Sequence, residues 1–214
     1  MISRLFIVLV PALWLLGLAG CTLLPEQTPQ RVFLLSPPEQ ETAYEVLHDK
    51  VLRVEKPEAP FPLTTSRILV APSGKEISFY GGARWADRTP PLVAAYMVEA
   101  LRQDGRVASV ISDSSSARSQ VSLVSQLGAL RSEYPSQGAD GPPEAFVRLD
   151  VQLMEDASRN IIASRRFQVR QPSEGEEIEA VVEAMNQAME VLSREVVDWV
   201  VEQLAPGHRL EKGS

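Results

Sequence analysis

Phe146-Val147-Arg148-Leu149-Asp150-Val151-Gln152-Leu153, FVRLDVQL, alternates apolar and polar residues without a break from Val147. A period of two is the mark of a strand with one face in a core and the other in water. The stretch Asn160 to Val169 follows after four residues, Asp156-Ala157-Ser158-Arg159, that suit a turn. Gln120 to Leu127 precedes it with looser alternation, across a loop at 135–143, PSQGADGPP. Three strands joined in this way predict an antiparallel meander.

Upstream, Val51 to Glu55 and Arg67 to Ala71 read as half-buried strands, separated by the proline-marked loop KPEAPFPLTT. Arg31 to Leu35 reads as a first strand stopped by Pro37-Pro38, residues 39–50 as loop or a short helical turn, and Arg106 to Ile111 as a further strand. Glu76 to Tyr80 reads as a strand that ends at Gly81-Gly82. Thr89-Pro90-Pro91 opens a helix, with Thr89 as N-cap and proline tolerated in the first turn. Leu92, Val93, Tyr96, Met97, Ala100 and Leu101 recur at helical spacing, and Gly105 is the expected left-handed stop. Ile178, Val181, Val182, Met185, Met189, Leu192, Val196, Trp199 and Val200 predict a long amphipathic helix with an acidic start, ended by Pro206-Gly207. Strands gathered ahead of each helix, with hairpins, predict an α+β fold. The expected architecture is a mostly antiparallel sheet with two main helices packed on one face.

The ends of the chain speak to its address. Met1 to Arg4 carries one basic residue, Leu5 to Leu18 is apolar, and Leu18-Ala19-Gly20-Cys21 follows. Basic, apolar and small-residue segments in that order mark a secretory signal. The apolar run is shorter than the ~20 residues of a membrane span. LAGC is similar to the bacterial lipobox, which implies cleavage before Cys21 and acylation of Cys21. Thr22 stands where an aspartate would signal inner-membrane retention, so the outer membrane, facing the periplasm, is expected. Residues 1–20 are thus read as signal peptide, 21–30 as a lipidated tether, 31–206 as a single domain and 207–214 as a C-terminal tail.

The chain holds 21 Lys and Arg against 28 Asp and Glu. Loss of residues 1–20 removes one arginine and leaves 20 against 28, a net charge of −8. An excess of acid disfavours nucleic acid, which calls for a basic patch. Cys21 is the one cysteine, so the body has no disulfide, thiol nucleophile or cysteine metal ligand. His48 and His208 lie far apart, no zinc spacing exists, and both read as surface residues. No serine sits in a nucleophile elbow, and SDSSSARS reads as a flexible turn. Glu174, Glu176, Glu177 and Glu179 are explained by the helix dipole.

SFYGGARWADR, Ser78 to Arg88, is the least ordinary segment. Its glycine pair lacks the spacing and the lysine of a phosphate loop. Glycine after a strand marks a turn or bulge. Tyr80 and Trp85 beside Arg84 and Arg88 have the composition of an interface anchor, and equally of a core edge. Tyr80, Gly81, Gly82, Arg84, Trp85 and Arg88 are therefore the candidate partner-binding residues, and no catalytic residue, metal site or cofactor is expected.

The lipobox, the meander, YGGARWADR, the helix opening PPLVAAYMVEAL and the long last helix together resemble the ABC-type transport auxiliary lipoprotein family, of the paraquat-inducible lipoprotein C type. The matching positions are Tyr80, Gly81, Gly82, Trp85, Pro90, Pro91, Leu92 and Leu101, and the likeness spans roughly residues 31 to 204. The resemblance implies a non-enzymatic accessory of a system built from an ABC ATPase, a permease and a periplasmic MCE-domain protein, which moves phospholipid or another hydrophobic molecule between inner and outer membranes. Two other readings share these features. One is a periplasmic carrier that binds phospholipid in a cavity lined by Met185, Met189 and Trp199. The other is an outer-membrane assembly lipoprotein.

Overall fold

The structure, a computed structural model, describes residues 30–35, 37, 45–72, 76–134 and 141–205. The segment read as a signal peptide, Cys21, the segment read as a tether as far as residue 29, and the residues read as a tail from 207 lie outside the described residues. The elements in chain order are β1 (Arg31–Phe33), β2 (His48–Val54), β3 (Arg67–Ala71), β4 (Ser78–Trp85), α1 (Thr89–Asp104), β5 (Val107–Ser112), β6 (Val121–Glu133), β7 (Glu144–Glu155), β8 (Ile161–Pro172) and α2 (Ile178–Leu204).

The meander is present. β6 and β7 pair antiparallel from Val121 opposite Glu155 to Glu133 opposite Glu144. β7 and β8 pair antiparallel from Glu144 opposite Pro172 to Met154 opposite Ile161. Alternation buries Val147, Leu149, Val151 and Leu153. β6 runs well past Leu127, where the sequence pattern stops. Gly128 does not end the strand. It makes a bulge there, with the register shifting between Leu127 and Ala129. A Cβ on Gly128 would meet Arg148 Nε at 2.4 Å, so the missing side chain is what lets the Arg148 guanidinium lie against the bulge.

The other edge of β6 is divided. Leu52 to Val54 of β2 pair parallel with Val121 to Leu123 at one end. Leu69 to Ala71 of β3 pair parallel with Arg131 to Glu133 at the other. Between them Glu58 forms a single parallel bridge to Gln126, with its N–H donating to Ser125 O at 3.0 Å and its carbonyl accepting from Leu127 N at 2.8 Å. β5 then adds to β2 in parallel, β4 to β3 antiparallel, and β1 to β4 in parallel. The sheet is therefore mixed and not mostly antiparallel. Alternation within a strand shows which face is buried but not which way its neighbour runs. β2 and β3 are both too far from β6 in sequence for a hairpin to impose the direction.

Both helices pack on the sheet and on each other. α1 buries Val93, Tyr96, Met97 and Leu101, and ends at Gly105, whose φ of 76° is left-handed and whose N–H donates to Leu101 O. Thr89 is not the N-cap. That position is Arg88, and Thr89 uses both its N–H and its hydroxyl on Thr65 O, at 3.1 and 3.0 Å, to fix the helix start to the β2–β3 connection. α2 buries Met185, Met189, Leu192, Val196 and Val200, and Trp199 meets Phe167 edge to face with centroids 5.8 Å apart. Tyr96 lies beside Ser193 of α2, and burial pushes its phenol up to about 12. Arg106 ties α1 to α2 through Asp104 at 2.7 Å and Asp198 at 2.6 Å. Of the four glutamates near the start of α2, Glu177 is the N-cap and Glu179 alone is in the first turn.

Gly81-Gly82 do not end β4 either. Phe79 pairs with Leu69 and Arg84 with Arg67, so Tyr80 to Ala83 stand opposite the single Ile68 in a wide bulge. Gly82 has φ 70°, and no atom lies within 4 Å of a Cβ built on either glycine. Backbone conformation, not space, separates the two. Gly82→Ala is expected to cost about 1–2 kcal/mol, the left-handed penalty, while Gly81→Ala is neutral or stabilising by up to about 1 kcal/mol. Urea unfolding of the two variants measures the difference, and equal effects would contradict the bulge.

Candidate functional site

The chain from Ser78 to Arg88 begins inside the sheet and ends at the start of α1. Trp85 is 1% exposed and belongs to the same core as both helices. Its backbone N–H donates to Ser66 O at 2.7 Å, and it pairs with Phe33 of β1. The indole is therefore a core group and not a solvent-facing anchor. Tyr80 is half-buried, with its hydroxyl 2.9 Å from Ser132 Oγ, and Ser132 is fully buried on β6. Burial is the main cause that raises the Tyr80 phenol above its usual range.

What remains exposed falls in two places. Gly81 and Gly82 form the outer curve of the bulge, next to Ala83, the partner of Arg31 in β1. Arg31 reaches across to pair with Glu179 in the first turn of α2, and this hydrogen bond lowers the Glu179 carboxyl below its ordinary range. Arg84 alternates to the face opposite Trp85, where its Nη1 donates to Trp85 O at 3.1 Å. Arg88 lies beyond Trp85 and is exposed. A strand rises about 3.3 Å per residue, so the bulge and Arg88 are separate surfaces although adjacent in sequence. The six candidates thus divide into a buried pillar (Trp85), a half-buried support (Tyr80), an exposed bulge (Gly81, Gly82) and two cations (Arg84, Arg88).

The residues screened for chemistry take structural places. His48 is buried, not at the surface, and its Nε2 donates to Val201 O at 2.9 Å near the end of α2. The serine-rich segment is organised around one arginine, which sequence pattern alone does not reveal. Arg53 donates to Ser112 O and Ser115 O, each at 3.0 Å, to Ala117 O at 2.5 Å and to Ser119 Oγ at 3.2 Å. Ser119 in turn donates to Asp156 at 2.5 Å. Arg53 on β2 therefore holds the segment as a hydrogen-bonded wrap around its guanidinium group. No group of three or more metal-ligating side chains occurs among the described residues. An open groove of about 630 Å³ on the meander is lined by Glu58, Gln126, Asp150, Gln152 and Ser164, with Arg166 paired to Asp150 at 2.6 Å. Met185 and Met189 are fully buried and Trp199 nearly so, all within the continuous core. Among the described residues, no helix is long and apolar enough to cross a membrane.

Comparison with known proteins gives the family. The family described as ABC-type transport auxiliary lipoprotein component matches residues 33–197, and the chain belongs to it. A crystal structure of a Xanthomonas campestris protein is similar at 25% identity and a TM-score of 0.73, over 81% of this chain and 96% of that one. A second solved structure, of an uncharacterized protein, shares the fold at 14% identity and a TM-score of 0.63, over 80% of this chain and 99% of that one. A search of curated proteins finds no match.

Burial decides what Trp85 does. Trp85→Ala is expected to cost about 3–5 kcal/mol, as large-to-small core changes do. At about 2–4 °C per kcal/mol for a domain of this size, the melting temperature falls by roughly 10 °C. A melting curve unchanged by Trp85→Ala would return the residue to the surface.

Proposed function

We propose that this ABC-type transport auxiliary lipoprotein is a non-enzymatic envelope component that docks onto an MCE-type transport system, in which a periplasmic MCE-domain protein works with a permease and an ATPase to move phospholipid or another hydrophobic molecule between the inner and outer membranes. The family match over residues 33–197 carries this reading. LAGC at Leu18 to Cys21 supports a lipid anchor. Thr22 favours the outer membrane, facing the periplasm.

An accessory of this kind needs no chemistry of its own. Acyl chains at Cys21 confine it to a membrane surface and raise its concentration near a partner. Within the candidate segment, the surface we assign to the protein partner is the bulge at Gly81 and Gly82. Tyr80 holds the bulge through Ser132, and Trp85 supports the strand from below. Side chains of a partner can approach the bare backbone of the two glycines closely, as they could not approach a branched residue.

The test is an affinity capture from crosslinked membranes with the full lipoprotein as bait. An MCE-domain protein recovered with its permease and ATPase is the expected result. Gly81→Leu, which has room in the fold, is expected to keep the melting temperature and reduce recovery several-fold. Recovery of outer-membrane assembly factors alone would overturn the reading in favour of an assembly lipoprotein. Phospholipid co-purified with the delipidated mature protein, with no protein partner, would favour a free carrier.

A further inference from the structure

The two arginines left out of the protein contact lead to a second surface. In the pairing register, Val32 of β1, Arg84 of β4 and Arg67 of β3 stand in one row across three strands, on the face opposite Trp85. The Arg67 guanidinium stacks over Phe79 at 3.4 Å from the ring centroid, which places Phe79 on that face as well. Val32 is 50% exposed, and Leu34, two residues on, is 65% exposed.

Charge pairing on this side of the sheet is uneven. Further along it, Arg131 and Arg170 are closed by Glu133 at 2.5 and 2.7 Å. Among the described residues, no ion pair involves Arg67, Arg84 or Arg88. Asp87, the nearest carboxylate in sequence, accepts the Arg88 N–H at 2.6 Å. Among the described residues, an acidic protein thus keeps a small group of guanidinium groups without an ion pair beside exposed aliphatic side chains.

The position of this face in the chain narrows what it meets. β1 begins ten residues after Cys21, and ten residues span at most about 36 Å. A domain tethered that closely to a leaflet meets lipid headgroups continually, at high effective concentration. Guanidinium groups match phosphate in shape and charge, and aliphatic side chains beside cations suit the interfacial layer. We propose that the face formed by Val32, Leu34, Arg67 and Arg84, with Arg88 at its margin, seats on the leaflet that holds the anchor and binds the phosphates of anionic phospholipid. The proposal rests on Cys21 being acylated. It leaves the glycine bulge, in the middle of β4, for a protein.

The full acylated protein, carrying Leu34→Cys labelled with an environment-sensitive fluorophore, tests this in vesicles. The Cys21 thiol is blocked by its thioether bond to the diacylglyceryl group, so the label is unique. In vesicles of phosphatidylcholine with phosphatidylglycerol, spin-labelled lipid is expected to quench the fluorophore several-fold more than in phosphatidylcholine alone. Arg67→Glu with Arg84→Glu is expected to abolish the excess, as is high salt. Arg67→Glu with Arg88→Glu, which leaves the Arg84–Trp85 contact intact, provides a milder variant with the same expected direction. Equal quenching in both vesicles would overturn the docking face. Quenching that arises only when an MCE-domain protein is added would assign the face to a protein and overturn the proposal too. Mass measurement of the Cys21 peptide in the same sample separates the premises, because an unmodified Cys21 overturns the anchor itself.

Discussion

Everything in the sheet depends on how the edge of β6 is shared. One edge of this strand is committed along its length to β7. The other holds β2 at one end, β3 at the other, and Glu58 bridged to Gln126 between them. Backbone N–H and C=O groups left bare in that gap would be costly if buried. The connection from β2 to β3 fills it with its own backbone and so fixes the distance between two halves of the molecule. The β2 half places β5, the Arg53-centred loop and, through His48, the end of α2. The β3 half places β4, β1 and, through Thr65, the start of α1. The exposed bulge and the arginine row both belong to the second half, and their positions follow from it.

The sequence was most legible where local pattern and tertiary structure agree. FVRLDVQL alternates and is a strand with Val147, Leu149, Val151 and Leu153 inside. Gly105 stops α1, and the three-and-four spacing from Ile178 marks α2. Legibility failed where a glycine sits inside a strand. Gly81-Gly82 read as an ending because glycine lacks a side chain to pack, and the alternation read for β6 stopped at Leu127, yet Gly81-Gly82 and Gly128 sit in bulges past which the strands continue. Parallel pairing of β2 and β3 with β6 was also out of reach, since no turn links them to it. For the candidate segment Ser78 to Arg88, the sequence pattern did not carry the orientation of its side chains. Whether Trp85 or Arg84 faces the core depends on the register with β1 and β3, and a shift of one residue would exchange them.

Met185, Met189 and Trp199, the side chains that could have lined a lipid cavity, are packed against the sheet, with Trp199 edge-on to Phe167. Interest therefore moves to the surfaces and to the tether. An acylated Cys21 would restrict the domain to a shell about one tether length from the bilayer. Within that shell, a phosphate-seeking face on one side of β4 and a bare bulge in the middle of the strand would give the domain a preferred attitude. One surface would rest on lipid, and the other would be offered to a protein.

The accessory role is the central claim, and photo-crosslinking in living cells tests it most directly. A photoreactive amino acid at Gly81, where the fold has open space, reports whatever touches the bulge. The account expects crosslinks to the periplasmic MCE-domain component of an ABC transport system, absent when the same group replaces Val191 on the exposed side of α2. Crosslinks to outer-membrane assembly proteins alone, or the same pattern from both positions, would contradict it.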